Sequence, residues 1–365
     1  MAPKAPAIQW EYGTAYELVV SLYVLHETEG FGIRPSFAAG VRSRIPAPER
    51  KMLEEVFPIL GLPFKWIHDL PAPRDAISAL WALKQIPPAE RMIKLQRLDD
   101  PKPYPSNDPK DVEKHKVSRE TLLRIAGEGK WKPEDADYFQ KLIGKKHGGL
   151  KREAIERCLD WWSKPAELGE GFLSAIQAYY HEFFEEEEKR IEPILREGLA
   201  HAQRRASELS IDELFIELSQ GVKLDDDLRA PKFIFVPAFW STPLILFERV
   251  DPETMLILFG VRPANMSVVP GEVVPDGLVR ALKALADPTR LKILNYLSKE
   301  ELAPSELARR LKLRAPTVTH HMSELRLAGL VNVDIHGQDK KYTARSESID
   351  AIHNRLKDFL SASDE

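Results

Sequence analysis

The sequence predicts a mainly α fold with a small β component: a multi-helix N-terminal domain ending in a small sheet, then a C-terminal unit of short helices and one hairpin. Three observations carry this. Apolar residues recur every three or four positions through most of the chain, as an amphipathic helix requires. The 28 prolines are scattered between those stretches, where they open and close helices. Residues 232–260 break the pattern with short runs rich in Phe and Ile, separated by Pro, Gly and Asp, and read as strands. At 365 residues, two or more domains are expected rather than one core.

Residues 1–8 read as a loose tail. From Thr14 to Glu27, Ala15, Leu18, Val19, Leu22 and Leu25 fall at helical spacing, and Gly30 and Gly32 end the run. Glu49 to Leu60 is a second helix, stopped near Gly61 and Pro63. Pro73 opens a third, with Ile77, Leu80, Trp81 and Leu83 expected inward, and Pro88 to Leu98 makes a fourth. Asp100 to Pro109 holds four prolines in ten residues, which forbids a regular helix and marks a loop or hinge. Helices resume at Asp111–Ala126, Pro133–Ile143 and Leu150–Trp162. A longer one spans Pro165 to Ile191, with Phe172, Ile176, Tyr179, Tyr180, Phe183 and Phe184 inward. Its acidic run Glu185–Glu188, followed by Lys189 and Arg190, reads as a solvated face. The pairs Glu185–Lys189 and Glu186–Arg190 would each contribute only ~0.3–0.5 kcal/mol. Pro193 is expected to start a separate helix to about Leu209. Ser210 caps a short one, Ile211 to Leu218.

Three strands follow, at 232–237, 244–250 and 254–259, with a turn at Asp251-Pro252-Glu253. The expected organisation is an N-terminal domain over 1–270, a Pro- and Gly-bearing linker over 271–277, and a C-terminal domain over 278–365. In that last part Leu278–Ala286 is a helix. Asp287-Pro288-Thr289-Arg290 caps and launches a second to Leu297. Pro304–Leu311 is a third, and Lys312-Leu313-Arg314-Ala315 a tight turn. The helix from Pro316 then puts Val318, Met322, Leu325 and Leu327 on one side and Thr317, Thr319, His320 and Ser323 on the other, and Gly329 stops it. Small hydroxyls and imidazoles on an outer face, in place of Glu/Lys pairs, are suited to reading base edges in a major groove. Leu330–His336 and Lys340–Arg345 are the arms of a hairpin, the wing, and Ile349–Leu360 is a last helix. A short helix, a tight turn and a helix with a polar face form a helix-turn-helix.

Charge agrees with this placement. The chain as a whole carries −4, which argues against a chain-wide nucleic-acid surface but not a local one. Between Ala303 and Arg345 there are eight basic and four acidic residues. The cations Lys312 and Arg314 flank the reading helix on one side, with Lys340, Lys341 and Gln338 in the wing on the other, where phosphates border an occupied groove. Arg326 is a further expected contact.

The segments Ala-Asp-Pro-Thr-Arg-Leu-Lys-Ile-Leu (286–294), Ser-Glu-Leu-Ala (305–308) and Ala-Pro-Thr-Val-Thr-His-His-Met-Ser-Glu-Leu-Arg-Leu-Ala-Gly-Leu-Val (315–331) occur in the order seen in the ArsR family of winged-helix bacterial repressors, which the last quarter of the chain resembles. The resemblance implies a homodimer on a double-stranded, pseudo-palindromic DNA operator, with Thr317, Thr319 and His320 facing the groove. His321 occupies a position where the family usually has a histidine, and base contact and structural support stand equal. Metal-sensing members carry a cysteine motif on the helix before the turn. Leu302–Leu307 has no cysteine there, so a thiolate metal sensor is not expected. Asp350 and His353 have only part of the spacing of the family's second metal site, and read as exposed polar residues.

Cys158 is the single cysteine, so neither a disulfide nor a multi-cysteine site can form within one chain, and a reducing cytoplasm is the expected location. No run of about 18 apolar residues suggests a membrane span. The chain lacks a Gly-x-Ser-x-Gly elbow, a phosphate loop and a dinucleotide fingerprint, so neither enzymatic activity nor a cofactor is expected. The long N-terminal part is left as a sensor of a small-molecule effector or as an enlargement of the dimer. Phe239 and Trp240, in a loop between strands, and Tyr179 are the candidate ligand-wall residues. The rival readings are an enzyme, or a protein-interaction module, carrying the winged helix as an appendage.

Overall fold

The computed structural model describes residues 6–100, 102, 106, 108–143, 150–224, 229–336 and 339–361. Strand β1 (Ala7–Trp10) comes first, then helices α1 (Thr14–His26), α2 (Thr28–Phe31), α3 (Pro35–Arg44) and α4 (Ala47–Val56). Next are α5 (Phe64–Asp69), α6 (Ala76–Gln85), α7 (Pro88–Leu95), α8 (Pro109–Glu128), α9 (Pro133–Ile143) and α10 (Arg152–Trp162). Helices α11 (Pro165–Tyr179) and α12 (Glu185–Ala206) follow, then α13 (Ile211–Leu218) and strands β2 (Lys232–Ala238), β3 (Leu246–Asp251) and β4 (Thr254–Gly260). The C-terminal part holds α14 (Asp276–Leu285), α15 (Pro288–Leu297), α16 (Pro304–Leu311), α17 (Ala315–Leu327), β5 (Val331–His336), β6 (Asp339–Ala344) and α18 (Glu347–Ser361).

The first sheet has the order β1-β2-β4-β3. β1 and β4 both run parallel to β2, and β3 returns antiparallel to β4. Residues 1–5 lie outside the described residues; the end of the stretch read as a loose tail, Ala7 and Ile8, opens an edge strand, with Ala7 opposite Lys232 and Trp10 opposite Phe235. Its partner lies more than two hundred residues away, which no local pattern encodes. Both faces of the sheet are covered. Ile234, Val236, Leu256 and Leu258 join the main helical core, while Phe233, Phe235, Met255, Ile257 and Phe259 pack with Leu214, Phe215 and Leu218 of α13. Burial on both sides explains why these strands read as unbroken apolar runs rather than alternating ones.

Several helices differ from expectation. α3 and α5 lie where none was read. α11 and α12 join through a single π-helical stretch at Tyr180–Phe184, and Pro193 sits inside α12 instead of starting a helix. In α6, Leu80 and Leu83 are buried as expected, but Ile77 and Trp81 are 62% and 65% exposed. That helix is apolar on every side, so spacing alone cannot choose its inner face. The acidic run is also only partly solvated. Glu185 pairs with Lys189 at 3.2 Å, but Arg190 turns to Glu187 (2.6 Å), not to Glu186. Glu187 is buried and also accepts from Trp240 Nε1 at 3.0 Å.

Beside it, Glu17 of α1 is fully buried and accepts from the Trp240 backbone N–H at 3.1 Å. Burial pushes its carboxyl up to about 8, partly opposed by the Trp240 and Phe239 amides.

The C-terminal helices and hairpin enclose a separate apolar cluster, from Leu278 to Ile352, with Leu307, Val318, Met322 and Leu325 near its centre. Main-chain bonds nevertheless tie this part to the N-terminal one. Val333 N–H donates to the Gly221 carbonyl (2.7 Å) and Lys223 N–H to the Val333 carbonyl (2.9 Å). The stretch after α13 thus pairs with one edge of the wing. Gly221 has φ +104° there, and a Cβ on it would stand 2.6 Å from Asn332 Oδ1. Lys223 Nζ meets Asp334 at 3.0 Å, and Arg280 Nη2 donates to the Gly32 carbonyl at 2.9 Å.

Candidate nucleic-acid interface

The site is built on α16, the turn after it, α17 and the β5–β6 hairpin. α15 starts from Asp287, whose side chain accepts from Arg290 N–H at 2.8 Å, with Pro288 in the first turn. α16 stops at Lys312, a left-handed cap with φ +54°. The chain then re-enters a helix after Arg314, with Pro316 in the first turn. Gly329, at φ +70°, follows the end of α17, a conformation that favours glycine. The hairpin pairs Val331 with Ala344 and His336 with Asp339. Leu302 and Tyr342 exchange two main-chain bonds, adding a short third strand to the wing.

Within α17, Val318, Met322 and Leu325 are buried in the C-terminal core, Leu327 is buried at the junction with the N-terminal part, and Thr317, Thr319, His320 and Ser323 are exposed on the face opposite the first three. Thr319 Oγ1 donates back to the Ala315 carbonyl at 3.0 Å, which leaves its lone pairs and methyl group facing outward. Lys312, Arg314, Lys340 and Lys341 are all exposed. Lys341 has Glu301 at 3.9 Å, too weak a surface pair to hold it in place. Arg310, by contrast, is engaged by both oxygens of Glu300, at 2.5 and 3.1 Å.

Two expected contacts are placed differently, and one falls outside the described residues. Arg326 leaves the reading face. Its Nη1 and Nη2 donate to the carbonyls of Gln220 (3.1 Å) and Ser219 (2.7 Å) of the N-terminal part. Burial there lowers its pKa to about 10, and Arg345 adds repulsion. The reason is axial: Arg326 shares the helical stripe of Thr319 and Ser323 but sits in the last turn of α17, where the Ser219 and Gln220 carbonyls reach it. His321 is half-buried, its Nδ1 is sealed without a partner, and burial lowers its pKa, opposed chiefly by the charge of Asp287. That geometry favours structural support over base contact. Gln338 lies outside the described residues.

The candidate ligand-wall residues do not line an opening. Phe239, Trp240 and Tyr179 are all fully buried. The Trp240 indole donates to Glu187, and the Tyr179 hydroxyl to Ser21 at 2.7 Å. Phe239 lies under the Arg190 guanidinium at 4.9 Å. A loop in sequence is here a core turn between β2 and β3, because the helices of the N-terminal part close over it. Asp350 and His353 are exposed on α18. No helix among the described residues is long and apolar enough to cross a membrane.

Comparison with known proteins matches residues 285–334 to a family described as a helix-turn-helix domain. Over 84 residues the chain is 37% identical to the arsenical resistance operon repressor of Staphylococcus xylosus, covering 23% of this chain and 80% of that one. Over 71 residues it is 39% identical to the transcriptional activator HlyU of Vibrio cholerae, covering 20% and 66%. Among solved structures, NolR from Sinorhizobium fredii is 33% identical over 24% of this chain and 88% of its own, with a TM-score of 0.20. All three alignments cover only a fifth to a quarter of the chain.

Proposed function

The chain belongs to the ArsR family of winged-helix transcriptional regulators, and from that premise we propose that it is a sequence-specific DNA-binding repressor acting as a homodimer. One observation supports this best. An outer face of Thr317, Thr319, His320 and Ser323 stands on a helix locked from behind by three buried apolar residues, Val318, Met322 and Leu325. Exposed cations stand on both sides of it, in the turn and in the wing. Thr319 and His320 read base edges, while Arg314, Lys312, Lys340 and Lys341 hold phosphates. His321, at the middle of α17, supports the packing of that helix beside Asp287 and Arg290 at the start of α15. For the second copy, α14 and α18 leave Leu282, Ile349 and Leu360 exposed (40%, 44% and 73%), an apolar surface suited to a twofold contact.

Thiolate metal sensing has no support. Cys158 is buried in the N-terminal core, far in sequence from α16, and burial pushes its thiol up, away from the thiolate that binds metal. The test is a band-shift assay of the full chain on DNA from upstream of its own gene, with a scrambled duplex as competitor. A shifted complex that resists the scrambled duplex supports the reading. Equal competition by both duplexes overturns sequence-specific binding. A reporter that rises when the gene is deleted supports repression, and one that falls identifies an activator.

A further inference from the structure

Between the N-terminal part and the winged helix lies a cleft of about 420 Å³, within the size range of small-molecule sites. Arg262 lines it from the segment after β4, Arg280 from α14, and Arg345 and Arg355 from the end of the wing and from α18. Glu347 is the one carboxylate on its wall among the described residues. It pairs with Arg345 Nε at 3.0 Å, which leaves three guanidiniums facing it without a carboxylate partner in the wall. Arg280 is occupied by the Leu327 and Gly32 carbonyls, and Arg355 Nε by the Ala351 carbonyl. Arg262 Nη2 donates to the Thr242 carbonyl at 2.9 Å, whereas its Nη1 is buried with no partner. Met266, Pro263 and Leu327 supply apolar wall.

This arrangement is costly without a counter-charge. Burial lowers the pKa of Arg262 to about 10; Asp276 and Glu17 offset this in part, and Arg280 and Arg190 add repulsion. Arg355 is lowered by burial and by Arg345. Like charges gathered in a cleft with low-dielectric walls focus a positive potential into it, and a buried guanidinium donor left unmatched carries a desolvation cost.

We propose that this cleft is the binding site of a small organic anion, a metabolite bearing phosphate or carboxylate groups, held by Arg262, Arg345 and Arg355 across the junction of the two parts. Planar guanidiniums bind such oxyanions through paired N–H donors. The cleft touches α17 only at its C-terminal end, through Leu327 and Gly329 just beyond it. That end is about 18 Å along the helix from Ala315, at 1.5 Å per residue, so the anion does not compete for the reading face. Binding draws Arg262 of the N-terminal part toward Arg345 and Arg355 of the winged helix. It thus sets how the two parts sit together; any effect on operator affinity rests on the regulator reading above.

The experiment uses the full chain without DNA and inorganic pyrophosphate as probe, with sodium chloride of matched ionic strength as control. Calorimetric titration is expected to show saturable binding, and pyrophosphate, unlike chloride, to raise the melting temperature. Arg355→Gln and Arg345→Gln should each weaken binding about tenfold, the loss of one charge-assisted contact, while the ligand-free melting temperature stays level or rises as repulsion is relieved. Ala351→Glu, which places a resident carboxylate on the exposed wall, should abolish binding and provides a second route if an arginine variant folds poorly. Pyrophosphate binding no stronger than chloride, or undiminished in these variants, overturns the proposal. A separate band shift of the same variants gives the other overturning result: variants that bind pyrophosphate as before but lose DNA affinity and salt dependence would make the cleft a backbone-phosphate contact. Because no DNA is present in the titration, its failure leaves the operator-binding test untouched.

Discussion

Thr319 and His320 differ from Arg314 in what each can contribute to binding. A base-edge contact carries sequence information, and its loss costs about 1–3 kcal/mol at one operator position. Thr319→Ala or His320→Ala should therefore lower affinity for the operator while leaving binding to scrambled DNA unchanged. Arg314→Ala should weaken binding to every duplex and reduce the salt slope by about one. Competitive band shifts at two salt concentrations separate the two classes, and identical behaviour of all three variants would refute the assignment. Arg326 belongs to neither class. Truncating it leaves the Ser219 and Gln220 carbonyls without their donors, so Arg326→Ala should cost about 1.5–3 kcal/mol of stability with base preference intact. Loss of base preference in that variant would return it to the reading face. Glu17 gives a pH signature. Its carboxyl stays protonated in the fold up to about 8, whereas in the unfolded chain it ionises near the ordinary value. The folded state then binds more protons between those limits, so stability falls as pH rises through this window, by up to about 1.4 kcal/mol per pH unit. Glu17→Gln should flatten that fall in denaturation curves taken from pH 5 to 8, and an unchanged slope would remove Glu17 as its source.

The elements of the winged helix follow from local signals. Asp287 caps α15, Pro288 and Pro316 sit in first turns, and Gly329 follows α17. Each needs only neighbours a few residues away, so these elements were legible in the sequence. The strand at 7–10, the burial of Trp240 and the inward turn of Glu187 were not, because each depends on a partner far along the chain. The latch between Gly221–Lys223 and the wing is of the same kind. Its geometry requires glycine: φ is +104°, and Asn332 Oδ1 stands 2.6 Å from where a Cβ would be. Gly221→Val should cost about 1–3 kcal/mol through backbone strain and expose the junction to limited proteolysis. A variant as stable and as resistant as the parent would show that the latch contributes nothing.

At the scale of the molecule, a helical body wrapped around a mixed sheet is joined to a winged helix through the latch, Arg326 and Arg280. Thr317, Thr319, His320 and Ser323 stay exposed beside these contacts, so the N-terminal part bears on the winged helix without covering the face proposed to meet DNA. Exposed Leu282, Ile349 and Leu360 place the proposed twofold contact on α14 and α18. Sedimentation should show a dimer that Leu282→Glu or Leu360→Glu converts to monomer, with operator affinity reduced. A wild-type monomer that binds the operator with undiminished specificity would defeat the dimer reading.

The sequence by itself determined the winged helix, its exposed and buried faces and its local excess of positive charge. Those features are written in caps, turns and a 3.6-residue period that act over short range. Tertiary structure alone decided that Arg326 holds the two parts together, that Phe239 and Trp240 are core, and that Arg262, Arg280, Arg345 and Arg355 converge on one cleft. These depend on which distant segments meet. Burial and unmatched charge exist only once the chain has closed around a residue.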